Sequence, residues 1–210
     1  MRIKMMALAK STIRQIASAT LPTKWGVFRI LGFERNSLRD GRMETAVALI
    51  MGDLHAGPPL LRIHSQCLTG DALGSVRCDC RAQLELAMDK ISTEGREIII
   101  YEMQEGRGIG LMAKLQAYEL QDDGLDTVEA NEHLGFAVDS RDYRLPVEIL
   151  KCFGIRRVRL MSNNPDKYSA LVCAQIESVE HISCEVLPNR HCKSYLLTKK
   201  IKLGHALALI

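Results

Sequence analysis

The chain alternates between short apolar segments typical of strands and longer segments with the period of a helix. This alternation restricts the fold to strands and helices that share one core. We therefore predict an α+β fold, a mixed sheet with flanking helices in a single domain. The predicted strands are Ala46–Met51, Leu60–Ser65, Glu97–Tyr101 and Val158–Ser162, and the predicted helices are Ala82–Ile91, Leu111–Gln121, Val147–Phe153 and one opened by the turn at 163–167.

The composition excludes several classes of protein. Hydrophobic residues make up 47% of the chain and charged residues 25%, which excludes a disordered or fibrous protein. No apolar run approaches the ~20 residues of a membrane-spanning helix, so we expect a soluble, cytoplasmic protein without a membrane partner. A net charge of +3 and an aromatic content of 5% argue against a nucleic-acid partner.

The N-terminal region has a biased charge. Between Met1 and Phe33 there are six basic residues and no acidic one. Such a bias resembles an organelle-targeting peptide, and the alternative is a short basic extension before the first strand. We prefer the extension, because the hydrophobic segment that secretion needs is missing.

Three cysteines, Cys67, Cys78 and Cys80, lie close together in the sequence. Thiolates at this spacing can converge on one soft cation, for which zinc is the natural choice. Three protein ligands and an open fourth position are typical of a catalytic zinc, whereas His64 could complete a closed structural site. The remaining interpretation is three reduced thiols without a metal. The total of seven cysteines is odd and unevenly spaced, which favours a reducing compartment over a disulfide framework.

Two loops have the composition of phosphate-binding loops. Arg107 lies within Glu105–Gly110 (EGRGIG), where glycines let backbone N–H groups approach a phosphate. The N-terminus of the following helix favours an anion at the same place. The turn SNNPDK has a similar character, with Ser162 and Lys167 as donors. The two loops together predict a phosphorylated substrate.

Further arginines lie near these signals. Arg62, Arg77 and Arg141 are suited to bidentate recognition of phosphate. Asp139 lies two residues before Arg141, and this pair could position a proton relay or form an ordinary surface ion pair.

Five blocks of the sequence resemble the GTP cyclohydrolase II family, and they cover nearly the whole chain from about Ile13 onward. Three are long, namely LPTKWGVF (21–28), RIHSQCLTGDALGSVRCDC (62–80) and the block from QEGRGIG to DSRDY (104–143). VRLMSNNPDK (158–167) and TKKIKLGHAL (198–207) are weaker matches. The resemblance implies a first strand over 13–23. It leaves residues 1–12 as a basic N-terminal extension and residues 13–210 as one GTP cyclohydrolase II-like, zinc-containing domain.

The resemblance implies hydrolysis of the imidazole ring of GTP, which releases formate and pyrophosphate and opens riboflavin biosynthesis. The product is 2,5-diamino-6-ribosylamino-4(3H)-pyrimidinone 5′-phosphate. It also implies one Zn2+ per chain on the three clustered cysteines, Mg2+ with the nucleotide, and a homodimer. Asp139 would be the proton acceptor, Arg141 the nucleophile or phosphate-activating residue, and Tyr118 a residue needed for deformylation. The nucleotide would be held by Arg62, Ile63, His64, Ser65, Gln66, Gln83, Glu105, Gly106, Arg107, Thr127, Ser162 and Lys167.

The sequence departs from the family pattern at four places. Gln66 replaces a glutamate before the first cysteine, Arg81 a glycine after the third, Met103 an arginine and Ser162 a threonine. These changes leave two alternatives open. One is a relative that acts on a modified guanine nucleotide or stops at an intermediate, and the other is a zinc-stabilised nucleotide-binding regulatory protein without turnover. A nucleic-acid-binding zinc module is disfavoured, because paired Cys-x-x-Cys motifs are absent from the sequence.

Overall fold

The computed structural model describes residues 13–37 and 41–210, so the predicted extension at 1–12 lies outside the described residues. The strands are β1 (Arg14–Thr23), β2 (Gly26–Asn36), β3 (Met43–Met51), β4 (Leu60–Ser65), β5 (Glu97–Glu102), β6 (Arg157–Met161) and β7 (Glu177–Ile182). The α-helices are α1 (Cys80–Glu94), α2 (Leu111–Asp122), α3 (Thr127–His133), α4 (Arg144–Cys152), α5 (Pro165–Cys173) and α6 (Lys193–Leu203). The strands form a single sheet in the order β1-β2-β3-β5-β4-β6-β7.

The sheet has an antiparallel half and a parallel half. Strands β1, β2 and β3 pair antiparallel, and β3 pairs antiparallel with β5. Strands β5, β4, β6 and β7 pair in parallel. A parallel pair needs a long crossover connection, usually a helix, whereas an antiparallel pair needs only a turn. Helices α1 to α5 therefore all occur in the connections of the parallel half.

Strand β4 shows how the core is divided between the two faces of the sheet. Leu61 and Ile63 belong to the larger apolar cluster, which also contains buried residues of α4 and α5. Leu60 belongs to a second cluster that includes buried residues of α1. Because side chains alternate along a strand, Arg62 and His64 lie on the same face as Leu60. Both are buried, which places two polar side chains beneath α1.

The sheet and its helices confirm the predicted α+β architecture. Every predicted strand and helix is present, with ends that differ by at most three residues. The implied first strand corresponds to β1. The elements that the sequence did not predict are β2, α3, β7 and α6. Strand β7 has no fully buried position, so its sequence lacks the apolar pattern that reveals a strand. No helix in the described part of the chain has the length and apolar character to cross a membrane.

Candidate active site

Three loops meet at the carboxyl ends of the central parallel strands. β4 leads into Gln66 and Cys67, β5 leads into residues 103–110, and β6 leads into residues 162–164. Ligands of sheets with parallel strands bind outside the carboxyl ends of those strands. The order β5-β4-β6 therefore brings three motifs that are far apart in the sequence to one edge of the sheet.

The cysteine cluster consists of Cys67, Cys78 and Cys80, whose Sγ atoms all lie within 4.8 Å of one another. Cys67 Sγ and Cys78 Sγ are 3.6 Å apart. Gly70 packs directly against the cluster, because a Cβ there would lie 3.0 Å from Cys78 Sγ and 3.1 Å from Cys67 Sγ. Convergent thiols around a space that a side chain would fill are a donor set suited to zinc. The residues present therefore fit this metal.

His64 is not part of the cluster. Its Nε2 lies 3.2 Å from both carboxylate oxygens of Asp71, and its ring stacks on Tyr101 at 5.3 Å. Burial lowers the pKa of His64 below its usual value. The alternative in which His64 supplies a fourth ligand is therefore not supported by the structure.

Lys114 on α2 is a polar neighbour of the cluster that the sequence did not reveal. Its Nζ donates to Cys67 Sγ at 3.2 Å and to Glu105 Oε1 at 2.7 Å. Glu105 Oε2 in turn accepts from the backbone N–H of Leu68 at 2.6 Å. A cation beside a thiolate stabilises the charged form that binds metals. Lys114 and Glu105 thus tie α2 and the loop after β5 to the first cysteine.

Tyr118, one helical turn after Lys114, also faces the cluster. Its hydroxyl lies 3.1 Å from Thr69 Oγ1, which is itself 3.6 Å from Cys67 Sγ. Burial raises the pKa of Tyr118, so the phenol is protonated at neutral pH. Cys67 and Tyr118 line a cavity whose wall also includes Gln66, Thr127 and Asn131. We term it the metal-side cavity.

The loop after β5 has an unusual backbone. Gly106, Arg107 and Gly108 all have positive φ values, of 60°, 60° and 89°. A non-glycine residue in this region carries strain, and such strain is often found at functional sites. A Cβ on Gly108 would lie 3.0 Å from the backbone of Ser140, so only glycine lets the loop approach that segment. The two terminal nitrogens of Arg107 are buried and have no hydrogen-bond partner among the described residues.

Asp139 and Arg141 form a partly buried, bidentate pair. Arg141 Nε donates to both carboxylate oxygens of Asp139 at 2.9 and 3.0 Å, and Arg141 Nη2 donates to one of them. Burial alone would raise the pKa of Asp139, but the hydrogen bonds from Arg141 hold it below its usual value. The two side chains are only 19% and 12% exposed. The alternative of an ordinary surface ion pair is therefore wrong.

A second cavity lies beside the first and shares part of its wall. Its wall includes Arg62, Gln83, Lys167 and Lys199, and we term it the cationic cavity. Ser162, His64 and His205 also line it. It shares five residues with the metal-side cavity, which are Ser65, Cys80, Arg107, Arg141 and Tyr195. Arg141 therefore lies at the junction of the two cavities.

Positive charge exceeds negative charge around the cationic cavity. Five cationic side chains line it, namely Arg62, Arg107, Arg141, Lys167 and Lys199. The carboxylates that contact or influence them are Asp79, Asp139 and Glu102, and burial raises the pKa of Glu102 to about 7. Even with all three carboxylates ionised, a surplus of positive charge remains. Burial and the neighbouring Arg62 lower the pKa of Lys167, and an anion in the cavity would oppose that effect.

The structure distributes the predicted nucleotide-binding residues over both cavities. Gln66, Glu105, Gly106 and Thr127 line the metal-side cavity. Arg62, His64, Gln83, Ser162 and Lys167 line the cationic cavity, and Ser65 and Arg107 line both. Ile63 lines neither, because its side chain is fully buried in the core, although its carbonyl accepts from Lys167 Nζ at 2.8 Å. Sequence reasoning missed Lys114, Tyr195, Lys199 and His205.

The departures from the family pattern occupy different environments. Gln66 lines the metal-side cavity beside the first cysteine. Arg81 pairs with Glu85 one helical turn away, and its side chain is 49% exposed. Met103 is 45% exposed and lies at the start of the loop after β5. Of these three, Gln66 is the one placed to affect chemistry at the cluster.

Comparison with known proteins agrees with this geometry. A family model described as GTP cyclohydrolase II matches residues 14–183. The chain belongs to the GTP cyclohydrolase II family. The GTP cyclohydrolase-2 of Neisseria meningitidis serogroup C strain FAM18 is 52% identical over 197 residues, which are 93% of this chain and 98% of that relative. The enzyme of the same name from Shewanella amazonensis is 50% identical over 198 residues, covering 94% of this chain and 95% of its own.

A third GTP cyclohydrolase-2, from Hahella chejuensis, is 51% identical over 197 residues and covers 93% of both chains. Among solved structures, a two-domain 3,4-dihydroxy-2-butanone 4-phosphate synthase from A. baumannii matches 73% of this chain and 35% of its own length. Its sequence identity is 15% and its TM-score is 0.41. The family assignment confirms the resemblance that the five sequence blocks indicated, and it identifies the chain as an enzyme.

Proposed function

We propose that this enzyme hydrolyses the imidazole ring of GTP and releases both formate and pyrophosphate. The organic product is 2,5-diamino-6-ribosylamino-4(3H)-pyrimidinone 5′-phosphate. Opening the ring and releasing formate uses two water molecules, and cleaving the bond between the α- and β-phosphates uses a third. The observation that carries the proposal is the junction of the two cavities at Arg141, since it joins a thiol cluster suited to zinc with a polycationic space.

Cys67, Cys78 and Cys80, which line the metal-side cavity, would hold one zinc ion. When bound, zinc would supply a Lewis acid that brings the pKa of water close to neutrality. Lys114 would favour the thiolate form of Cys67 through the contact of 3.2 Å. Gly70 would preserve the space that the three sulfurs need.

Tyr118 would donate its phenolic proton at the ring. Its raised pKa keeps that proton in place at neutral pH, and Thr69 fixes the position of the hydroxyl. A protonated phenol in the metal-side cavity can hydrogen-bond a reacting nitrogen or oxygen as charge develops there. Tyr118 would therefore act in ring opening and deformylation and not in the release of pyrophosphate.

Arg141 would bind and activate the α-phosphate. Burial by itself lowers the pKa of a guanidinium, but Tyr143 and Asp139 raise the pKa of Arg141 above its usual value. A protonated guanidinium has no lone pair with which to attack phosphorus. Of the two implied roles, activation of the phosphate is therefore the one that the local charges favour. Asp139 would hold the guanidinium in orientation and accept a proton later in the reaction.

The remaining parts of the nucleotide would extend from this junction into both cavities. The guanine ring would lie beside the cysteine cluster, and the outer phosphates would lie among the cations of the cationic cavity. Mg2+ would accompany the phosphates, whose charge still needs partial neutralisation. A homodimer is proposed on family membership alone.

The direct test is incubation of the enzyme with GTP, Zn2+ and Mg2+, followed by mass analysis of formate, pyrophosphate and the pyrimidine. We expect one formate and one pyrophosphate for each GTP consumed. Pyrophosphate without formate would favour an enzyme that stops at an intermediate. Binding of GTP without either product would favour the regulatory alternative, and both results would contradict the proposal.

A further inference from the structure

Helix α6 lies beyond residues 14–183, which the family model matches, and yet it borders both cavities. Tyr195 lines both of them, and Lys199, one helical turn later, lines the cationic cavity. Residues four apart on a helix share a face, so this face of α6 is turned toward the site. Leu196 is buried in a small apolar cluster with Cys192 and Leu207, which anchors the helix.

Lys199 is held in a defined position. Its Nζ donates to Asp79 Oδ1 at 2.8 Å, and the ammonium lies 4.5 Å from the centre of the Tyr195 ring. The other carboxylate oxygen of Asp79 accepts from Gln83 Nε2. Lys199 is only 8% exposed. An ammonium group has three donors, and Asp79 accepts one of them, so further donors remain for a ligand in the cavity.

The cationic cavity has other unused donors near this ammonium. Arg62 Nε and both terminal nitrogens of Arg107 are buried and without hydrogen-bond partners among the described residues. Buried donors are rarely left unpaired in proteins. Arg62 also donates to Gln83 Oε1 at 2.8 Å, so it belongs to the network that holds Asp79 and Lys199. A ligand with several anionic oxygens would accept from Lys199 Nζ and offset the surplus positive charge.

We propose that Lys199 is a further substrate-binding residue, which contacts the outer phosphates of the nucleotide in the cationic cavity. The inference rests on the proposed function, because a guanine nucleotide is the ligand that joins a reactive ring to a polyphosphate. Helix α6 then completes the site and makes binding depend on the number of phosphates. Lys199 is assigned to the outer phosphates because the α-phosphate is already assigned to Arg141 at the junction.

The test is calorimetric titration of the purified protein with inorganic tripolyphosphate and, separately, with GMP. Charge-assisted hydrogen bonds of this kind are strong enough that we expect Lys199→Met to weaken tripolyphosphate binding about 10- to 100-fold. GMP, which lacks the outer phosphates, should bind within about twofold of the wild-type affinity. Lys193→Met removes an exposed lysine at the start of the same helix and should leave both affinities unchanged.

Equal losses for the two ligands would overturn the inference, since they would mean that Lys199 only supports the fold. Unchanged binding of tripolyphosphate by Lys199→Met, or no binding by the wild type, would also overturn it. If Lys199→Met does not fold, Asp79→Asn serves as the reference and Asp79→Asn/Lys199→Met as the test variant. Neither variant then contains a buried carboxylate that has lost its partner. Binding needs no turnover, so failure of the wild type to convert GTP would contradict the proposed function separately.

Discussion

The metal-side cavity and the cationic cavity meet at Arg141, but their chemistry differs. The first presents three thiols, a protonated phenol, a lysine that is paired with Glu105, and Arg77, and it shares Arg107 and Arg141 with the second. The second presents several arginines and lysines with too few carboxylates to balance them. The proposed nucleotide would place its reactive ring in the first cavity and its outer phosphates in the second. Under the proposed function, ring opening and phosphate release would therefore be assigned to separate sets of side chains.

The two cavities also differ in how the chain builds them. The metal-side cavity comes mainly from two blocks of sequence, at residues 65–80 and 104–131. The cationic cavity combines β4, the start of α1, the loop after β6, α5 and α6 with the following His205. Variants in each cavity should therefore separate the two halves of the reaction, in the following order of expected effect.

Loss of a thiol should have the largest effect. Cys78→Ser replaces a thiolate by a poorer zinc ligand, and we expect formate release to fall by on the order of 1,000-fold or more. Zinc content should fall with it, as measured by elemental analysis of protein purified without chelator. Cys152→Ser, at an exposed cysteine, is the matched control and should keep both zinc and activity. Full zinc content in Cys78→Ser would contradict the assignment of the cluster.

Arg141→Ala should reduce both products, because this residue lies where the cavities meet. We expect a decrease of about 100- to 1,000-fold in pyrophosphate release, the range for loss of a positioned charge at a reaction centre. Arg144→Ala is a close control, since Arg144 pairs with Asp142 at the same sequence spacing but has a side chain that is 47% exposed. Comparable losses in the two variants would show that Arg141 has no special role.

Gly70→Ala should disturb only the metal-side cavity. The added Cβ would lie 3.0 Å from Cys78 Sγ, so the sulfurs must move apart. We expect a loss of about 1–3 kcal/mol in the free energy of unfolding, as for other overpacked sites, together with weaker zinc retention. Gly32→Ala, where the new carbon meets the flexible Ile16 side chain at 3.3 Å, should have a smaller effect. Unchanged zinc affinity in Gly70→Ala would contradict the claim that the cluster needs a glycine at this position.

Gln66→Glu should have the smallest effect, and its sign is informative. A carboxylate next to Cys67 would restore a negative charge that the family pattern has beside the metal, and such neighbours can change activity up to about 10–100-fold. We expect kcat/KM for GTP to rise by more than about twofold. A value within twofold, or a decrease, would mean that Gln66 does not retune the site.

The sequence was sufficient for the cysteine cluster and for the central strands. Cys67, Cys78 and Cys80 stand out by residue type and spacing, and the buried runs of β4 and β5 are apolar enough to identify. The residues that escaped prediction occupy ordinary positions in the sequence. Lys199 lies in a lysine-rich helix that looks solvent-exposed, and only the packing of α6 reveals that this one lysine is buried. Sequence patterns carry local periodicity, whereas the position of α6 depends on tertiary contacts.

The charge of the site was also only partly predictable. Asp139 and Arg141 could have been a surface pair, and their low exposure becomes visible only in the folded chain. Similarly, His64 lies close to Cys67 in the sequence and was therefore a possible fourth zinc ligand. Because side chains alternate along β4, the His64 ring contacts the carboxylate of Asp71 instead.

The most direct test of the division between the cavities is Tyr118→Phe, with formate and pyrophosphate measured in the same reaction. This change removes one hydroxyl from the metal-side cavity and leaves the cationic cavity intact. We predict that pyrophosphate release stays within about tenfold of wild type, while formate release falls about 100-fold or more, as expected for loss of a positioned proton donor. Equal losses of the two products would contradict the account, because they would show that one set of side chains governs both steps.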